Sequence, residues 1–447
     1  MPIRALLAAA ALSLALAAPT AAHAVSISHS KVLVRYSSSS THAERVAAER
    51  ATGTGSGETL PGGVRTLHIE DGDSVSHTLA ELRAQPGVEY AIPDYRLHAA
   101  ALPPPFIPND PGRGGPGDWQ RLQWNFTGPF SLNAPQAWSL ARQAGAPGGK
   151  GVTVAVIDSG TAYRNLGRYR QAPDLAGTKF VAPYDFVDHD KYPLDGDGHG
   201  THVTGTIAQT TNNRLGVTGL AYGVKIMPVR VLDSNGDGDG STFARAVRYA
   251  VKHHARVINM SVEFDPQLRA ADIPDVISAL RYAHKHGVVM VGATGNEGEQ
   301  QVAYPAKYSR VIAVGATTAD GCQAEYSNSG SGIDVMAPGG GTDADAAADS
   351  WDASHCDPTR RAREIYQQTF VSNVRKFRLV GVEGTSEAAP HVTALAALVL
   401  ATKVIGSKPS PDAVAPRIES TARDIGPPGY DTRYGYGLVD AAAALTP

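Results

Sequence analysis

Val152-Thr-Val-Ala-Val-Ile-Asp158 is an unbroken run of β-branched and apolar residues that ends on a carboxylate. Such a run suits a strand buried on both faces, not the alternation of a half-exposed one. Five further stretches share its character: Val224–Asp233, Arg256–Ser261, Val288–Thr294, Val311–Thr317 and Ile333–Gly339. Helical stretches such as Ser241–Ala255 and Pro274–His286 lie between several of them. This alternation predicts an α/β fold with a doubly wound, largely parallel sheet and helices on both faces. In such folds reactive groups gather at the carboxyl ends of the strands.

Upstream the character changes. Residues 101–118 hold Leu102-Pro-Pro-Pro-Phe106, Pro108-Asn-Asp-Pro-Gly112 and Gly114-Gly-Pro-Gly117, which cannot sustain regular structure and are expected to form an exposed linker. Residues 25–100 read as a small α+β unit, with a strand over Lys31–Tyr36, a helix over 74–87 and an extended stretch over 88–99. It carries too little apolar sequence for a robust core of its own, so it should lean on a partner surface. In residues 1–24 Arg4 precedes an apolar stretch too short to span a bilayer, and Ala22-His23-Ala24 supplies the small residues of a cleavage site. This is read as a signal peptide, with an uncleaved anchor helix as the alternative. The α/β domain then occupies 119–447.

The 447 residues are 42% hydrophobic and 19% charged, with a formal net charge of -3 and no long run of one sign. That argues against nucleic acid or an anionic membrane as partner, since both call for a basic patch. Export places Cys322 and Cys356 in an oxidising compartment, where an even pair is read as a disulfide. Two unlinked thiols are the alternative, because sequence does not fix their distance.

Four short stretches carry candidate chemistry. Asp158 closes its strand, where a buried carboxylate can hold the tautomer of a histidine through Nδ1. His199 lies in Asp195-Gly-Asp-Gly-His-Gly-Thr-His202, with glycines that let the backbone approach closely and a helix opening after it. Gly384-Thr-Ser386 turns into a helix whose first N–H groups can face a developing oxyanion, with Pro390 expected in the first turn. Asn296, just past a strand end, offers a side-chain amide for the same task. Each has a bland reading as a turn or helix cap. A zinc site at His199 and His202 lacks the glutamate and spacing of a metalloprotease helix.

Together the stretches occur in one chain in the order Asp, His, Ser. The motifs VAVIDSG, GHGTHVTGTIA, ATGNEG and GTSEAAPHV resemble those of the subtilisin-like (subtilase) serine peptidases. NAPQAW, YPAKYSRVIAVGAT, Ser327-Asn-Ser-Gly330 and YGYGLVDAAAAL extend the resemblance over nearly all of the third zone. It implies a secreted serine endopeptidase that acts on protein or peptide substrates through an acyl-enzyme and is made as a self-processing zymogen. Residues 25–100 would be its intramolecular inhibitory propeptide, released somewhere around Ala99 to Pro111. Ser386 would attack the scissile carbonyl, His199 would move the proton, Asp158 would orient His199, and Asn296 with the Ser386 N–H would hold the oxyanion. Ser261, Val262 and Glu263 would pair with substrate backbone, and Ala293, Thr294 and Gly295 would wall the pocket for the residue before the cut. Structural Ca²⁺ is implied at Asp174 and Asn213 with the carbonyls of Leu215 and Val217; no cofactor is needed for catalysis.

The chain departs from the family pattern at three places. Glu387 stands where many members carry methionine, and Glu263 where glycine is usual. Glu263 with Glu297 and Glu299 could favour basic substrate side chains. The segment 340–382 is longer than the usual connection and predicts an inserted hairpin or helix braced by the disulfide. Two rival readings are a non-catalytic binding protein on the same scaffold, which should have lost a triad residue, and a protein that cuts only itself.

Overall fold

The computed structural model describes residues 27–95, 102–345 and 350–447. The expected leader, 1–24, and the end of the first zone lie outside these residues. The chain divides into two units at Ala101/Leu102.

The first unit is an antiparallel sheet of order β2-β3-β1-β4, from Thr54–Thr59, Val64–Ile69, Ile27–Tyr36 and Val88–Tyr95. Helices α1 (His42–Ala51) and α2 (Val75–Ala84) connect its strands. Thr41 and Glu44 form a capping box on α1, and Ser74 caps α2. The core is small: Val32, Val34 and Leu67 from the strands meet Leu79 and Leu82 of α2. Fold and core size match the expected α+β unit.

The second unit begins with short helices α3 (Trp119–Leu122) and α4 (Trp124–Thr127), then α5 (Ala134–Gln143). Its sheet has the order β12-β11-β10-β9-β5-β8-β6, with β7 also paired to β8. These strands are Val335–Pro338, Ile312–Thr317, Val289–Ala293, Val257–Met260, Thr153–Asp158, Lys225–Arg230, Lys179–Phe180 and, for β7, Tyr184–Asp185. All their pairings are parallel. β5 lies between β8 and β9, so its carboxyl end is a switch point of the sheet, the place where open α/β sheets bind their ligands. Alternate residues of β5 reach opposite faces: Val154 and Val156 join one core, Ala155 and Ile157 the other. The first core is covered by α5, α6 (His199–Ala208) and α10 (Thr385–Thr402), the second by α7 (Gly240–Lys252) and α8 (Pro274–Lys285). The doubly wound expectation holds.

Two expectations are corrected. The stretch 102–118 is exposed only in part and is not a free linker: Leu102 and Ile107 are exposed, but Asp110 is fully buried, the Phe106 N–H donates to Pro135 and the Gly112 N–H to Gly216. Proline and glycine removed regular structure there, but the backbone groups found partners on the larger unit instead of water. Pro390 stands at the sixth residue of α10, in its second turn, so its missing N–H frees the Ser386 carbonyl. The Ser261 hydroxyl takes that carbonyl at 2.7 Å.

The segment 340–382 contains both devices foreseen for it. Helix α9 (Ser350–His355) leads into Cys356, which is bonded to Cys322, and β13 (Ile365–Thr369) pairs with β14 (Arg378–Val382) as an antiparallel hairpin. The hairpin braces α6: Thr369 Oγ1 donates to the Gly198 carbonyl at 2.7 Å, and the Ile365 carbonyl meets His202 Nε2 at 3.0 Å.

Candidate active site

The loop before α6 sets the position of His199. Buried Asp195 accepts the N–H groups of Asp197, Gly198 and Thr201 and the hydroxyls of Ser159 and Thr201, and so caps the helix from three residues upstream of Gly198. Gly198 has φ 112°, and a Cβ there would lie 2.5 Å from the Phe370 carbonyl oxygen. Only glycine fits both demands. His199 then opens α6 with Nδ1 2.7 Å from Asp158 Oδ1; Asp158 is fully buried at the end of β5, while the ring stays 27% exposed. The contact fixes Nδ1 as the protonated nitrogen and leaves Nε2 to the crevice. Burial opposes charge on the ring; the Asp158 carboxylate, by its charge and its hydrogen bond, outweighs it and raises the His199 pKa.

Helix α10 meets α6 at His202 and Glu387, whose Nδ1 and Oε1 are 3.5 Å apart. His199 is one turn before His202 and Ser386 is next to Glu387, so both stand close to this crossing in the chain. Ser386 is the second residue of α10, and its Oγ donates to the Ser261 carbonyl at 3.3 Å. A hydrogen bond from Ser386 to His199 is not among the contacts of the described residues.

Asn296 follows β10 on a turn through Gly295, which has φ 112° and whose Cβ would lie 2.2 Å from Asn328 Nδ2. Asn296 Oδ1 accepts the Thr385 N–H at 2.8 Å and the Thr385 hydroxyl at 3.0 Å. With its oxygen committed to the start of α10, its NH₂ is the donor half of the side chain, and it faces the side of Glu263. Ala293 and Thr294 are buried; the Thr294 hydroxyl donates to the Asn328 carbonyl at 3.1 Å. Ser261 is buried, Val262 half-buried and Glu263 the most open of the three, covered only in part. Partial burial and the neighbouring Glu297 push Glu263 up to about 7, while the amides of Asn296 pull the other way.

The expected calcium loop has a tight geometry. Buried Asp174 accepts Asn213 Nδ2 at 2.7 Å, Gln209 Nε2 at 2.6 Å and the Val217 N–H at 3.1 Å, and the Leu215 N–H donates to Asn213 Oδ1 at 2.8 Å. Sequence reasoning missed Asp110, which accepts the N–H groups of Asn212 and Asn213 from within the supposed linker. Burial raises the pKa of Asp110, and burial with Asp110 nearby pushes Asp174 up to about 7. Neither carboxyl group has a cationic hydrogen-bond partner among the described residues. Asp174 and Asp110 are hard-oxygen groups of the kind Ca²⁺ takes, and in this structure both accept N–H groups.

Comparison with known proteins agrees with this architecture. The model of the subtilase family matches residues 149–437. The chain belongs to the subtilase family. It is 34% identical over 373 residues to a thermophilic serine proteinase of Bacillus sp. (strain AK1), covering 83% of this chain and 76% of that one. It is 35% identical over 318 residues to thermitase of Thermoactinomyces vulgaris, covering 71% of this chain and 95% of that one. Among solved structures it resembles a protease from Pseudoalteromonas arctica, with TM-score 0.60 and 31% identity over 76% of this chain and 98% of that one. This subtilase is a serine endopeptidase, and the bridge between Cys322 and Cys356 is present. No described helix is long and apolar enough to cross a membrane.

Proposed function

We propose that this subtilase hydrolyses peptide bonds through an acyl-enzyme on Ser386, after export as a precursor that frees itself from residues 25–100. The 2.7 Å contact of His199 with buried Asp158 is the observation that carries the reading. It makes Nε2 the basic nitrogen in the crevice that α10 enters. Substrate lies along Ser261–Glu263 as an added strand, with Ala293, Thr294 and Gly295 beside the side chain that precedes the cut. A rotation about the Ser386 Cα–Cβ bond takes its Oγ from the Ser261 carbonyl to His199. Oγ then bonds to the scissile carbon while its proton passes to Nε2. The negative charge on the carbonyl oxygen is held by the Asn296 NH₂ and the Ser386 N–H. Nε2 returns the proton to the leaving amine as the C–N bond breaks, and water repeats the sequence to release the acid.

Ca²⁺ held by Asp174, Asn213, Asp110 and the 213–217 loop would neutralise the buried carboxylates and stiffen the loop that follows α6. The Extracellular protease of Xanthomonas campestris, 31% identical over 426 residues, supports the exported reading by its name. Wild type and Ser386→Ala purified side by side test the whole proposal: wild type should lose residues 25–100 and digest casein, and the variant should do neither. Self-cleavage without casein turnover would favour a protein that cuts only itself.

A further inference from the structure

Glu387 follows Ser386 on α10, and its side chain is 1% exposed. No step of the hydrolysis above uses it. Its Oε1 lies 3.5 Å from Nδ1 of His202, also 1% exposed, and neither atom has a hydrogen-bond partner among the described residues. Oε2 folds back over Gly384, where a Cβ would lie 2.6 Å from it.

The tautomer of His202 decides what this contact needs. Its Nε2 meets the Ile365 carbonyl at 3.0 Å, and a carbonyl only accepts, so Nε2 carries the hydrogen. In the neutral ring Nδ1 is then a lone pair facing a carboxylate oxygen. That contact repels unless one proton sits between the two atoms. The neighbouring His391 is engaged elsewhere: its Nδ1 donates to the Glu387 carbonyl and its Nε2 accepts from the Asn125 amide, both at 2.8 Å. His199 on α6, Asp158 on β5 and Glu383 after β14 act on the Glu387 carboxyl group through space, and Glu387 acts in the same way on Tyr326. The Tyr326 hydroxyl is spent on the Gly340 carbonyl. Burial pushes Glu387 up to about 7 and His202 down to about 4, so the proton belongs to the carboxyl group and not to the ring, and it leaves as pH rises through about 7.

We propose that Glu387 is a positioning residue whose one proton, shared with His202, keeps the ground beneath Ser386 uncharged while the oxyanion forms. Loss of that proton sets a fixed anion beside the Ser386 N–H and slows hydrolysis. The inference rests on Ser386 being the nucleophile.

The test is kcat and KM of mature wild type and Glu387→Gln from pH 6 to 10 on a neutral peptide. Glutamine keeps the shape, can donate to Nδ1 and has no proton to lose. Wild-type kcat should fall on the order of tenfold across an ionisation that Glu387→Gln lacks, the scale of one screened unit charge near the oxyanion. KM should hardly move, so the variant-to-wild-type ratio of kcat should rise with pH. A ratio constant from pH 6 to 10 would overturn the proposal, since a purely packing role predicts that result. Should Glu387→Gln fail to accumulate, ¹⁵N-histidine spectra of the Ser386→Ala protein serve instead: His202 should be protonated on Nε2 and respond to the same ionisation. A neutral His202 carrying its hydrogen on Nδ1 would refute it. Failure of the nucleophile reading looks different, because activity would then survive Ser386→Ala.

Discussion

Asn296→Ala removes two separable things. The side-chain oxygen accepts the N–H and hydroxyl of Thr385, at 2.8 and 3.0 Å, and so pins the start of α10 to the end of β10. The side-chain NH₂ is the proposed oxyanion donor. Each lost hydrogen bond to Thr385 should lower stability by about 1 kcal/mol. Loss of the donor should lower kcat by about 10²–10³-fold, a size established for the corresponding donor of a subtilisin and carried over here. Asn296→Asp separates the two, because it keeps an acceptor for Thr385 and replaces the donor with a charged oxygen. Steady-state kinetics on a peptide substrate and thermal melts of both variants make the assay. Alanine should lose both activity and stability, with KM nearly unchanged; aspartate should lose at least as much kcat but less stability. A kcat within about fivefold of wild type for Asn296→Ala would refute the donor role. An active Asn296→Asp would show that only the tether to Thr385 matters.

Three further outcomes follow from the same geometry. Glu263 holds its proton up to about pH 7 because of its partial burial and Glu297, so preference for Lys- or Arg-containing peptides should rise as pH passes 7. Glu263→Gln should abolish that rise, and a peptide library with no pH-dependent gain for cationic side chains would contradict it. Chelation should lower the melting temperature of the mature enzyme by at least about 5 °C, by loss of the ligand's mass-action contribution. In Asp110→Asn the melting temperature should no longer respond to added Ca²⁺, and an undiminished response there would remove Asp110 from the site. Replacing Cys322 and Cys356 by serine opens a loop of 34 residues, worth about 4 kcal/mol in the chain-entropy model, and calorimetry should show a matching fall in stability. An unchanged melt would mean that the bridge adds nothing to stability.

The sheet was legible because its strands are buried on both faces, and continuous apolar runs such as Val152–Asp158 have few other uses. Asp158, His199, Ser386 and Asn296 were legible for a related reason: each stands at a strand end or helix start, where glycine-rich turns mark the place. Asp195 was not singled out, although its contacts cap α6, because its partners are backbone N–H groups that any sequence supplies. Asp110 was hidden by the prolines and glycines around it. They exclude helix and strand but do not decide whether the backbone meets water or a neighbouring loop. Pro390 was misplaced by one turn, since the first residue of α10 depends on how Gly384 enters the helix. The contact of Glu387 with His202 joins residues 185 positions apart in sequence, and no local pattern announces it.

Covalent labelling by a fluorophosphonate, followed by mass spectrometry of the modified peptide, tests the central claim most directly. One adduct per chain on the Ser386 oxygen is expected, lost in His199→Ala and accompanied by complete loss of casein hydrolysis. A label on another residue, or casein hydrolysis that persists in Ser386→Ala, would contradict the account.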